Sequence, residues 1–433
     1  MTGYERRTGP TEPAQNRRGP RLVGNWMVGR RDRKSSLWQP VASTPAATPS
    51  FEKGGVQTEH EAHHRIVQVD NLKAVLVGWI IGCHALLGYL AIGGWPYDEV
   101  QEVTLSPRLE FVMSVLLGPT AFVVIGAFFF IAGLFAPLAM AHEGPSLFAR
   151  NRLLRLGVPW LAFLLLVWPL FMWFAYRAAG RDLTYWQEFV RRTPFLDSGP
   201  AWFLEVLLYV SLGYALWHSL KLGQRLRPPL RGHYLLWSAI AIAVASFVVR
   251  LWFPARSQQV LDLHLWQWPQ CVGMFCLGAV ASGWHWMEQV PTRVRRTCGL
   301  VILGTLVVAP AVVVLAGVRD FTRDGAAYLG GWHWQSLVLA VVEASLVVAG
   351  SVWLLGQAQR LLTFDGPLAS ACQRGAYAAF LLQAPVLLSL EIALRPTPLP
   401  ALVKTLLVAG IGVAASFSLG WLLVEKTPLR RLL

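Results

Sequence analysis

Residues Asp70–Leu90 read DNLKAVLVGWIIGCHALLGYL. Lys73 and His84 stand eleven residues apart in this stretch. A helix turns about 100° per residue, so that spacing comes to about 20° past three full turns. The two side chains therefore share one helix face, roughly 16 Å apart along the axis. If the segment crosses a bilayer, a basic group lies at one surface and an imidazole lies deep below it. Ionisable groups inside a membrane are costly and mark function by default. The pair points to a reaction or a relay at membrane depth.

Composition supports a membrane setting. Of the 433 residues, 55% are hydrophobic and only 14% are charged. A soluble chain of this length carries roughly 25% charged residues. Apolar runs near twenty residues recur along the sequence, which predicts an all-α polytopic membrane protein. Twenty Trp residues fit two interfacial belts. The formal net charge of +14 would suggest nucleic-acid binding in a soluble protein. Here the basic residues gather in alternate loops, so the excess reads as an orientation signal and no nucleic-acid partner is expected. Cys83, Cys271, Cys276, Cys298 and Cys372 lie in or beside apolar segments without a CxxC pattern. They read as inert thiols, with neither a disulfide framework nor a metal site.

Residues 1–64 are rich in Arg, Pro, Gly, Ser and Thr and lack periodicity, which predicts a disordered cytoplasmic tail. Its basic run Arg30, Arg31, Arg33 and Lys34 could touch anionic lipid. His60, His63 and His64 read as part of a solvated linker rather than as metal ligands. The tail lacks the hydrophobic region of a cleaved leader. Residues 65–433 then form one membrane domain.

About ten spans are expected, near 72–95, 111–138, 153–175, 202–220, 234–253, 266–286, 298–317, 334–357, 376–394 and 401–424. Even-numbered loops and the C-terminus carry the basic residues, such as Arg150, Arg152 and Arg155, or Arg293, Arg295 and Arg296. By the positive-inside rule both termini face the cytoplasm. The third loop, with Arg177, Arg181, Arg191 and Arg192, fits this rule imperfectly. Asp70 and Lys73 then lie at the cytoplasmic end of the first span, and His84 about 18 Å into the bilayer, near its midplane. A neutral imidazole there could take a proton from a hydroxyl as general base. Its bland alternative is a hydrogen bond to a neighbouring helix.

Four more clusters invite attention. Arg150, Arg152 and Arg155 open the third span. They could clamp phosphate, because guanidinium forks match phosphate oxygens, or simply anchor the helix. In GPAWFLE, residues 199–205, Trp202 could be a belt anchor. Glu205, just inside the span, could pair with a cation, hold a sugar hydroxyl or orient His84. Glu343 and Glu391 also lie in apolar spans, and a helix-packing hydrogen bond explains each equally well. FFFIAGLF, residues 128–135, reads as close helix packing. Tyr377 and Gln383 are polar groups in another span, followed by Pro385, which frees a carbonyl that can line a cavity.

In this order and spacing the residues resemble the acyltransferase-3 family of integral membrane acyltransferases. The family's Arg…Asp…Arg pattern, with a His eleven residues after its second basic residue, is similar to Arg65, Asp70, Lys73 and His84. Its F-F-x-S-G signature resembles Phe129–Gly133, and its basic lead into the third span resembles FARNRLLRLGVP, residues 148–159. A W-F-L stretch matches Trp202–Leu204. Y-x-x-Y-L-x-H-x-P resembles YAAFLLQAP at 377–385, and E-x-x-P resembles EKTP at 425–428. The resemblance covers roughly residues 65 to 430. Lys73, Ala132 and Gln383 depart from the family's Arg, Ser and His.

The resemblance implies ten spans and an acyl donor on the cytoplasmic side, commonly acetyl-CoA, with no bound cofactor. It implies an acceptor hydroxyl on an envelope glycan, lipid or secondary metabolite. Lys73, Arg152 and Arg155 would hold donor phosphates, and His84 would activate the hydroxyl or relay the acyl group. Two other readings use the same buried polar groups: a transporter or flippase, and a degenerate scaffold that binds donor without turnover. A transporter should carry inverted repeats, and none stands out in the sequence.

Overall fold

The computed structural model describes residues 55–90, 95, 97, 103–192, 194–221, 233–257, 259–284, 286–315 and 325–432. Most of the tail expected over 1–64, with its basic run, lies outside these residues, as do the side chains of His60, His63 and His64. Among the described residues the ordered elements are helices. They are α1 (Gly55–Leu87), α2 (Pro107–Arg152), α3 (Val158–Ala162), α4 (Trp168–Ala178), α5 (Tyr185–Arg191) and α6 (Trp202–Ser219). Then follow α7 (His233–Val249), α8 (Trp268–Ser282), α9 (Thr292–Leu315), α10 (Trp334–Leu361), α11 (Pro367–Leu394) and α12 (Ala401–Lys426).

Among the described residues seven segments are long and apolar enough to cross a bilayer, so the expected ten is an approximate count. The difference has physical reasons. The stretch Pro107–Ala178 is continuous helix by hydrogen bonding and counts once, although two of the expected spans lie within it. It reverses sharply at Gly144, whose φ of 73° a residue with a Cβ rarely adopts. Beyond it, wide π-turns at Leu153–Gly157 and Phe163–Val167 link α2, α3 and α4. α7 and α8, with 17 and 15 residues, fall short of a full crossing. They rise about 26 and 22 Å against a hydrocarbon core of about 30 Å.

The first span also shifts. It covers Val67–Leu87, and His84 lies in the last turn of α1. His84 therefore lies towards the C-terminal end of this helical stretch. The separation from Lys73 stays at eleven helical residues, about 16 Å.

Two apolar clusters build the bundle. One joins α2, α8 and α10, and the other joins α1, α4, α11 and α12. Phe128 packs against both. FFFIAGLF packs as the sequence suggests. A Cβ on Gly133 of α2 would overlap the Phe275 carbonyl of α8, and one on Gly278 of α8 would overlap that of Phe130. The two backbones touch through reciprocal glycine notches, the small-residue solution to packing in lipid.

Two buried acids of the bundle have partners. Arg250, just past α7, meets Glu343 of α10, and both are buried. Gln270 of α8 donates to the same Glu343 Oε2 at 2.8 Å. Removing one partner of such a pair leaves an uncompensated buried charge. Glu391 of α11 accepts the Trp95 indole N–H at 3.0 Å. Packing thus explains Glu343 and Glu391.

Gly278→Val should force α8 off α2. Overpacking of this kind costs about 1–3 kcal/mol. A lower midpoint of thermal unfolding in detergent is expected, and an unchanged midpoint would contradict the close contact.

Candidate active site

Between the two apolar clusters lies a cavity of about 580 Å³. α1, α2, α6 and α11 form its walls, with the first π-turn at one edge. Six of the nine residues singled out in the sequence line it: Asp70, Lys73, His84, Arg152, Trp202 and Tyr377. Arg150 and Arg155 are exposed and do not. Neither does Glu205, which is fully buried and accepts a 3.0 Å hydrogen bond from Tyr209 one turn along its own helix.

The separation of the arginines follows from helix geometry. Arg152 and Leu156 are four apart and share the face that lines the cavity, while Arg155 points off it. Arg155 contributes its main chain instead. Tyr377 of α11 donates its hydroxyl proton to the Arg155 carbonyl at 2.6 Å. That carbonyl lies in the Leu153–Gly157 π-turn. Such turns upset the regular ladder of a helix and recur at functional sites.

One end of the cavity is charged. Lys73 Nζ lies 2.6 Å from Asp70 Oδ1 and 5.0 Å from the centre of the Phe135 ring. The Arg152 guanidinium stands 4.9 Å from the Phe148 ring centre. An ammonium carries three donors, so the Asp70 contact leaves Lys73 with donors to spare. Gln373 and Arg374 of α11 add polar groups to the lining. Gln373 donates to Asn71 Oδ1 at 2.7 Å, and Asn71 in turn donates to the Leu362 and Phe364 carbonyls just past α10. Between this end and the histidine the lining is apolar, with Val77, Ile80, Ile125 and Phe128.

His84 is held by two contacts. Its Nδ1 lies 3.0 Å from Gln383 Oε1 of α11. With a carbonyl oxygen facing it, Nδ1 carries the proton and donates, and Nε2 keeps its lone pair. The Trp95 ring stacks on the imidazole at 4.9 Å and 20°. Trp95 is fixed in turn by its bond to Glu391. The sequence marked Gln383 as a polar group in an apolar span and as a departure from a motif, but gave no sign of Trp95. Trp95 lies beyond the end of the helix, where no spacing rule connects it to residue 84.

Trp202 has a partner on its other side. His264 stacks on it at 4.6 Å and 25°, and His264 Nδ1 lies 2.7 Å from the Asp262 carbonyl and 3.5 Å from Asp262 Oδ2. Leu261, Asp262 and His264 all have positive φ, so this loop is wound left-handed to present the imidazole. Trp202 is thus a wall of the cavity braced from behind, rather than a free belt anchor. The five cysteines are free, and Cys83 reaches the cavity wall.

The sequence from residue 66 to 425 matches the family model of acyltransferase 3, described as an acyltransferase domain. No curated protein and no solved structure matches the chain.

Burial pushes the Asp262 carboxyl up to about 6 from an ordinary 3.8; His264 opposes the rise and Asp197 adds to it. Between those two values the folded chain holds a proton that the unfolded chain has released. Its contribution to stability is full below about pH 4 and is lost as the pH rises through 6. Asp262→Asn removes that dependence. The unfolding midpoint of the native protein should fall relative to the variant across this window, and parallel curves would contradict the assignment.

Proposed function

The chain belongs to the acyltransferase-3 family and is a multi-pass membrane acyltransferase, and from that premise we propose that it moves an acyl group, acetyl in the first instance, from a cytosolic acyl-CoA to a hydroxyl of an envelope glycan, lipid or secondary metabolite, with His84 as the base. The observation that carries this reading is the shared wall. One cavity is lined by Lys73, by Arg152 and by the His84 imidazole, which stands about three helical turns from the lysine.

The chemistry follows from the residues. The acceptor oxygen attacks the thioester carbonyl carbon as His84 Nε2 takes the hydroxyl proton. The carbon–sulfur bond breaks, the ester forms, and the imidazolium returns its proton to the departing thiolate to give free CoA. Positioned acid–base catalysis of this kind contributes about 10²–10⁴-fold. Lys73 and Arg152 would grip donor phosphates, with Arg152 offering a planar fork and Lys73 a point charge. Asp70 would hold Lys73 in place. Tyr377 would fix the wall by tying α11 to the π-turn. Trp202 would offer the acceptor a flat apolar face. Glu205, spent on Tyr209 away from the cavity, would act at most through the packing of α6.

Loop charges support a plasma-membrane protein with both termini and the Lys73 end of the bundle at the cytoplasm. The donor would then enter from the cytosol. The position of His84 in the last turn of α1 brings the base towards the face where an envelope acceptor would arrive.

His84→Ala should lower acyl transfer from labelled acetyl-CoA in membranes by about 10²–10⁴-fold while donor binding persists. Undiminished transfer would sink the general-base role. A transporter would show no acylated product in either form. Arg152→Gln should raise the KM for acyl-CoA by on the order of tenfold, the worth of one charge-assisted hydrogen bond, with little change in kcat. A fall in kcat alone would place Arg152 elsewhere in the reaction.

A further inference from the structure

A second cavity of about 470 Å³ lies between the first turns of α9 and the last turns of α10, apart from the one that holds His84. Arg295, Arg296 and Arg360 line it, together with Trp353 and Gln357. Asn71, which neighbours Lys73, bonds to carbonyls just past Arg360, so this pocket sits at the Lys73 end of the bundle.

The pocket is built rather than incidental. Gly356 of α10 leaves room for the Arg295 stem, whose Cδ lies 3.0 Å from where a Cβ would be. Gly299 of α9 leaves room for the Trp353 indole nitrogen, 3.2 Å from its missing Cβ. Gln359 of α10 locks the junction, accepting from the Val290 N–H and donating to the Trp286 carbonyl, each at 2.8 Å. Two helices are thus notched and pinned around a pocket to which three arginines and an indole contribute.

These cations are uncompensated. Among the described residues none of the three arginines makes a salt bridge or a side-chain hydrogen bond, and the first turn of α9 has no acidic residue. Three like charges in one pocket repel unless an anion joins them. Guanidinium forks match phosphate oxygens in particular.

The surface beyond the pocket says what carries the phosphate. Only 6% of the apolar window of α9 is buried in the bundle. Leu300, Leu303, Val307 and Val308 are each more than half exposed on it, and Leu361 is equally bare at the pocket's edge. A soluble anion would have no use for that surface, whereas acyl chains would cover it. We propose that this pocket binds the phosphodiester headgroup of an anionic phospholipid, with the acyl chains lying along α9. Basic pockets between transmembrane helices at the cytoplasmic side recognise such headgroups. The site is separate from acyl transfer and stands whether or not His84 is the base.

The test is lipid retention by the full-length protein, measured by native mass spectrometry after exchange into phosphatidylglycerol or phosphatidylcholine. The wild-type chain should keep a phosphatidylglycerol molecule through delipidation and shed phosphatidylcholine. R295Q/R296Q/R360Q should retain phosphatidylglycerol on the order of a hundredfold less well, since each basic residue contributes about a kcal/mol to attraction of anionic lipid. Arg293→Gln removes a neighbouring charge that does not line the pocket and keeps the test meaningful if the triple variant is unstable. Retention should be unchanged in it. Equal retention by the triple variant would overturn the proposal. So would an equal loss in Arg293→Gln, which would mean diffuse surface charge. Displacement of the lipid by millimolar inorganic phosphate would overturn it as well, because the site would then be one for free anions.

Discussion

The 3.0 Å contact between His84 and Gln383 joins residues 299 apart in the chain and ties α1 to α11 beside the cavity. In hydrocarbon an imidazole N–H without a partner is expensive, so the amide carbonyl both holds the ring and decides which nitrogen keeps the proton. Trp95 closes one face of the ring and is itself anchored on Glu391. The lone pair on Nε2 is what remains.

The cavity grades from charge to hydrocarbon to imidazole. Lys73 and Asp70 pair at one end, Arg152 also lines the cavity, and aliphatic and aromatic side chains separate the pair from His84. An acyl-CoA has the same grading, with phosphates at one end and a thioester at the other. This match in polarity makes a donor threaded along α1 the simplest occupant. The spacing of eleven residues between Lys73 and His84 then sets the reach required of the donor.

Much of this was legible in the sequence, for reasons that can be named. The shared face of Lys73 and His84 follows from helix periodicity, which a single unbroken helix obeys. The same rule separates Arg152 from Arg155 once the helix is known to continue through residue 155. The π-turn that ties Arg155 to Tyr377 leaves no mark in composition. The count of spans was blurred because short helices such as α7 and α8 have the apolar content of a span without its length. Trp95, Gln373 and Arg374 were missed because tertiary contact, rather than spacing, brings them to the site.

The central claim is that donor and base share this one cavity. Photolabelling the full-length protein with a photoreactive acyl-CoA, followed by peptide mapping, tests it most directly. The account requires labels on the α1 segment between Lys73 and His84 and near Arg152, with both suppressed by excess acetyl-CoA. Suppressible labelling confined to other helices would contradict it.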